Sequence, residues 1–257
     1  MRDILDDIFK NQPLDPIEAA RKSVRVNLRK RFYKQAGVAD HAVTLDGKPV
    51  MTPKRRALKA PNAAIVQAMA GEWDAQRDTI DPGAMPMTRL ANAIIDGVAD
   101  APNAVRDEIV KYLGSDLVFY RADQPEGLIE EQAKHWDPII AFARDTYGAR
   151  FVLAQGIVHQ AQPPEAIAAA AVSIPHDAST EAIWTLGALA AIVTITGSAL
   201  IALALAAKAM DADAAWQAAH VDEDWNAAKW GEDPEVQARR AARRAEFDAA
   251  VLILRAV

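Results

Sequence analysis

From Ile183 to Ala207 the chain runs for 25 residues, I-W-T-L-G-A-L-A-A-I-V-T-I-T-G-S-A-L-I-A-L-A-L-A-A, without one charged side chain. A segment of that length and polarity either crosses a bilayer or is enclosed by the rest of the protein. Alanine fills eight of its positions, Thr194, Thr196 and Ser198 interrupt it, Gly197 offers a kink, and no basic cluster flanks its N-terminal side. The expectation is therefore a buried helix, or two helices split near Gly197, forming the central core element of a helical domain.

The composition agrees with that reading. Half of the 257 residues are apolar and a quarter charged, alanine is over-used, and glycine and proline are few, which favours helix. The length allows one large or two modest domains. Without cysteine there are no disulfides, thiolate metal sites or cysteine nucleophiles. The N-terminus, M-R-D-I-L-D-D-I-F-K, has acids where a secretory or transit peptide would have none, so the chain is expected in the cytoplasm. Its net charge of −6 is uneven: residues 19–59 hold twelve Lys/Arg against Asp40 and Asp46, leaving a strongly acidic remainder. Phe32 and Tyr33 interleave with the basic stretch, but an acidic protein repels phosphate, and no nucleic-acid partner is expected.

The patterning predicts an α+β protein that is mostly α. Residues 1–60 read as an amphipathic lead-in and a small β-rich domain, and residues 61–257 as a helical domain. Short strands are expected within 30–38, 42–45 and 48–51, with Asp46-Gly47 as a two-residue hairpin turn, and another at 57–60. After Pro61 the period becomes helical, through Ile65, Met69, Trp73 and Gln76, until Asp81-Pro82-Gly83 breaks it. Thr88 is positioned to cap a shorter helix, Pro102 opens a third, and a fourth runs from about 130 to 147 and closes at Gly148. Residues 151–159 fit strand or loop. Pro163-Pro164 begins another helix, and the last starts with Asp233 as cap and Pro234 at its first position.

No catalytic constellation stands out. The five histidines lack ligand spacing, and the phosphate-binding, dinucleotide-binding and serine-hydrolase motifs are absent. Asp222, Asp224, Asn226 and Asp233 trace an EF-hand outline, but Ala227 occupies the position that needs glycine. No metal or other cofactor is expected. The alternative to a binding protein is a small-molecule enzyme with a cleft around Glu72, Gln76 and His135.

The informative segment is 213–231, D-A-A-W-Q-A-A-H-V-D-E-D-W-N-A-A-K-W-G. Read as one helix, it places Ala214, Ala218, Val221, Trp225 and Ala228 on a core seam. Trp216, Glu223 and Trp230 fall seven apart on a second stripe, drifting about 20° per step. An acid framed by two tryptophans suits a protein-binding face, whereas Trp73, Trp136, Trp184 and Trp225 are expected in the core.

Taken in order, R-F-Y-K, L-D-G-K-P-V-M-T-P-K, E-W-D-A-Q, I-D-P-G-A-M-P-M-T-R-L, Y-L-G-S-D-L, W-D-P and D-E-D-W-N-A-A-K-W-G resemble one family. It is the F-type ATP synthase assembly chaperone that handles the alpha subunit of the catalytic head, known from mitochondria, where it acts in the matrix, and from some bacteria. The resemblance implies a small β-rich domain joined to a helical one, no ATP hydrolysis, and a monomer that shields new alpha subunits until beta subunits replace it. Neither a nucleic acid nor a membrane would be its partner. The family motif falls on Asp222, Glu223, Trp225, Trp230 and Gly231, with Glu223 its best functional candidate. The expected partner-binding residues are Glu223, Trp216, Trp230, Asp222, Asp224 and Asn226. Trp225 stands where the family has phenylalanine and Asn226 where it has glutamine.

Overall fold

The computed structural model describes residues 28–156, 159–231 and 233–257. The lead-in expected at 1–23 lies outside them. Three strands, β1 (Ala36–Ala39), β2 (Ala42–Leu45) and β3 (Lys48–Pro49), form an antiparallel meander with Ala36 opposite Leu45 and Leu45 opposite Lys48. Both connections are two-residue turns with two positive φ angles: Asp40-His41 (48° and 60°) and Asp46-Gly47 (48° and 79°). That geometry matches strand twist, and glycine or aspartate adopts it most readily. The strand expected at 57–60 is reduced to isolated bridges, Met51–Ala57 and Ala42–Lys59.

Ten helices follow among the described residues: α1 (Ala63–Ala75), α2 (Pro86–Asp96), α3 (Pro102–Tyr112), α4 (Glu126–Tyr147), α5 (Pro164–Ala171), α6 (Thr180–Thr196), α7 (Ala199–Ala206), α8 (Ala212–Ala219), α9 (Val221–Trp230) and α10 (Pro234–Ala256). Between α3 and α5 the two-residue strands β4 (Tyr120–Arg121) and β5 (Ala154–Gln155) pair in parallel, so the ambiguous 151–159 region supplies a short strand. The uncharged segment is cut where glycine allows it. Gly197 takes a left-handed conformation and Ser198 caps α7 by accepting from the Ile201 amide. Among the described residues no helix is long and apolar enough to cross a membrane. Every residue of α7 from Ala199 to Leu205 is buried, and α6 packs along α10, α3 and α2 around it. Gly187 of α6 lets Ile94 of α2 approach so closely that an added Cβ would lie 2.3 Å from Ile94 Cγ1.

Acids from one element cap the backbone of another throughout the fold. Thr88 does not cap α2, which starts two residues earlier at Pro86; Glu72 of α1 does so instead, accepting from the Met87 and Thr88 amides at 2.7 and 2.8 Å. Asp96 of α2 holds the hairpin extension through Thr52 Oγ1 (2.7 Å) and the Lys54 amide (2.9 Å). Val43, Leu58 and Ala60 of the strand region share one contiguous apolar cluster with the helices. Much of the basic stretch is also structural: Arg31 donates to the carbonyls of Tyr33, Lys34 and Gln76, and Lys54 and Arg56 bind Asp100.

Candidate functional site

The single helix expected across 213–231 is two. α8 is capped at its start by Asp211, whose side chain accepts from the Ala214 amide, and at its end by His220, whose backbone (φ −126°, ψ 21°) leaves the helical path. The His220 ring helps to finish α8, with Nδ1 2.8 Å from the Trp216 carbonyl oxygen, and its ring lies 4.0 Å from the Trp216 ring. α9 then starts with Asp222, Glu223 and Asp224 in its first turn and ends with Lys229 in its last, an arrangement that complements the helix dipole.

This break rearranges the expected stripe. Trp216 is 7% exposed and packs on Phe247 of α10, with their ring centroids 5.4 Å apart, so it does not share an open face with Glu223. Trp230 is 85% exposed. The seam is also altered: Ala218 and Val221 are buried, Ala214 and Trp225 are half-buried, and Ala228 is exposed. Trp225 covers Gly127 of α4, where an added Cβ would come within 2.6 Å of its ring, and Lys229 lies over the same ring at 4.4 Å.

The three acids of α9 separate in the same way. Asp222 accepts from Gln132 Nε2 at 2.7 Å, while Gln132 Oε1 accepts from the Ala122 amide. Asp224 forms an ion pair with Arg240 of α10. Both therefore fasten α9 to the body. Glu223 is exposed, has no partner among the described residues, and lines a groove of about 570 Å³ between α9 and α10. Asn226 and Trp230 share its α9 wall; Val236, Arg239 and Arg243 belong to the α10 wall. Gly231 (φ 84°) turns the chain, and Asp233 and Pro234 start α10 on the far side. Arg243 donates to the Ile195 carbonyl at 2.6 Å, whereas Arg239 has no partner among the described residues.

His220 lines this groove too, although its spacing to other histidines carries no signal. Its place four residues after Trp216 and directly before the acidic turn was the available clue. Burial pushes its pKa below the ordinary histidine value, opposed by the Trp216 carbonyl and by Glu223 and Asp224, and assisted by Arg240.

The three residues of the alternative cleft each have partners of their own. Glu72 is occupied by two α2 amides, and buried Gln76 bonds the Glu72 carbonyl and the Asp81 amide. His135 lies on α4 beside Glu131, at 3.6 Å. Among the described residues no cluster of three His, Asp or Glu side chains is arranged to hold a metal ion.

An exposed tryptophan beside a carboxylate with no partner among the described residues, in an open groove on a helical body, is a surface suited to holding another protein rather than to catalysis. The ATP12 chaperone protein family matches residues 30–144. The crystal structure of an Agrobacterium tumefaciens protein assigned as a chaperone superposes with a TM-score of 0.82 at 42% identity, covering 100% of this chain and 97% of that one. Atp12 from Paracoccus denitrificans superposes at 0.76 with 34% identity, covering 88% and 97%. The chain belongs to the ATP12 chaperone family, which places it among the chaperones of ATP synthase assembly.

Proposed function

We infer that this protein binds the unassembled alpha subunit of the F-type ATP synthase and shields it until beta subunits replace it. It does so as a cytoplasmic monomer without cofactor or catalysis. The client contacts the α9–α10 groove, with Glu223, Asn226 and Trp230 as the contacting residues, and Asp222, Asp224 and Trp216 hold that groove in place from behind. The observation that carries this reading is the 85% exposure of Trp230 next to a Glu223 that has no partner among the described residues. An indole of that size left in water gains free energy when covered, and a carboxylate beside it gives the contact register. Interfaces typically draw more than about 2 kcal/mol from each such aromatic anchor.

Co-purification of the alpha subunit with the wild-type chain and with Glu223→Lys tests both parts. The expected result is recovery with the wild type and at least tenfold less with the variant, whose melting temperature falls by only a few degrees because the position is exposed and only its interaction with the α9 dipole is reversed. Equal recovery removes the site assignment. No recovery with the wild type removes the client.

A further inference from the structure

The imidazole of His220 is 6% exposed, yet it lines the groove, and one of its nitrogens has no partner among the described residues. Nδ1 faces the Trp216 carbonyl oxygen at 2.8 Å. A carbonyl only accepts, so Nδ1 carries the hydrogen. In the neutral ring Nε2 is then a bare acceptor, and it has no partner among the described residues. Burial, by holding the pKa below the usual histidine value, keeps the ring neutral at pH 7.

The groove thus presents three acceptors from adjoining positions: Nε2 of His220 at the end of α8, and the Glu223 carboxylate and the Asn226 carbonyl on α9. The exposed Trp230 ring at the same wall offers an aromatic face to a cation. On the opposite wall Arg240 is neutralised by Asp224, and Arg243 is turned to the Ile195 carbonyl. Asp233 caps α10 through the Glu235 amide, which leaves Arg239 as the one cation facing the groove with no described partner. The charged groups near His220 are therefore Glu223 and Asp224 from α9 and Arg240 from α10.

We propose that the groove receives an arginine side chain of the client, whose guanidinium donates at once to Glu223 and to Nε2 of His220 while its stem lies against Trp230. This rests on the reading of the groove as the client site and adds the chemistry that it selects. A guanidinium presents five donors in a planar fork and reaches acceptors on two elements together; an ammonium is a compact point charge that stays more strongly hydrated. A client carboxylate would meet Glu223 and a bare nitrogen lone pair on the α9 wall, away from Arg239 and Arg243 of the α10 wall.

The direct test uses N-acetyl-arginine amide as the probe and the full-length protein, with the ¹⁵N shift of His220 Nε2 as readout. Titration at pH 7.5 is expected to move that resonance saturably from its bare-acceptor value towards the hydrogen-bonded one, while N-acetyl-lysine amide moves it several-fold less. No saturable shift with the arginine probe, or an equal shift with lysine, overturns the proposal whatever the client proves to be. Two substitutions carry the test to the alpha subunit. His220→Asn keeps a donor where Nδ1 stands but removes the Nε2 acceptor and the ring packed on Trp216, so it should melt lower than wild type and bind alpha about tenfold more weakly. His220→Gln keeps an acceptor at the Nε2 position and loses the bond to Trp216, so it should melt lower and bind within about threefold of wild type. Wild-type affinity in His220→Asn refutes the contact. Failure of the wild type to bind alpha refutes the client assignment instead, and the arginine titration still decides the chemistry.

Discussion

Asp116 is fully buried and ties together the junction on which the core helices α6 and α7 depend. Oδ1 accepts from the Val118 amide at 3.2 Å, Oδ2 accepts from the Leu200 amide at 2.9 Å, and the Ser198 hydroxyl and the Ala199 amide also donate to the carboxylate. Four donors favour the charged form, but complete burial outweighs them and pushes the pKa from 3.8 to about 6. A rise of about two units corresponds to about 3 kcal/mol. The folded value lies above the unfolded one, so between them the folded protein holds more protons than the unfolded chain. The contribution of this residue is therefore complete below the ordinary carboxylate pKa and lost as the pH rises through 6. Asp116→Asn has no such titration. Urea unfolding followed by tryptophan fluorescence, for both proteins at several pH values from 4 to 7.5, isolates the effect as a difference. The stability of the wild type relative to the variant should fall by about 3 kcal/mol across that range. The variant also carries a constant penalty of about 1–3 kcal/mol, because its amide turns a donor towards one of the backbone N–H groups, but this offset has no slope. A difference that stays flat, or that grows with pH, refutes the dominance of burial and means that the four donors win. Should the variant not fold, the ¹³Cγ resonance of Asp116 in the wild type gives the same answer through its midpoint.

Two further predictions concern how the body is held. Glu72→Gln leaves one of the Met87 and Thr88 amides facing an amide donor, and should lower stability by about 1–3 kcal/mol in urea unfolding. Gly187→Ala forces the new methyl against Ile94 and should cost about 1–3 kcal/mol; combined with Ile94→Ala, the loss should be smaller than the sum of the two single losses.

The local signals in the sequence carried through wherever one residue type decides the backbone. Asp46-Gly47 turns the hairpin, Gly148 ends α4, Gly197 splits the uncharged segment, and Asp233-Pro234 opens α10. What the pattern did not reveal are features made by distant partners. The seam Ala214, Ala218, Val221 continues at helical spacing across His220, so periodicity gives no warning that the helix stops there. Trp216 is buried because Phe247 of α10 meets it, thirty-one positions away in sequence. The cap of α2 comes from Glu72 because Met85, the residue in the cap position, has no side-chain acceptor.

That break at His220 is also what makes the candidate site. An unbroken helix would have set Trp216, Glu223 and Trp230 along one ridge, a convex surface with two equivalent rings. Ending α8 at His220 lets Trp216 sink against α10 and lets α9 leave at a new angle, pinned by the Asp222–Gln132 bond and the Asp224–Arg240 pair. Of three consecutive acids, two are consumed in fixing that angle, and only the middle one has no partner among the described residues. The two flanking acids therefore give the groove its shape, and Glu223 gives its α9 wall a carboxylate that has no partner among the described residues. Their substitution should have distinct signatures. Loss of Asp222 or Asp224 loosens α9 and weakens client binding together with hydrogen-exchange protection along that helix, whereas loss of Glu223 weakens binding and leaves protection intact.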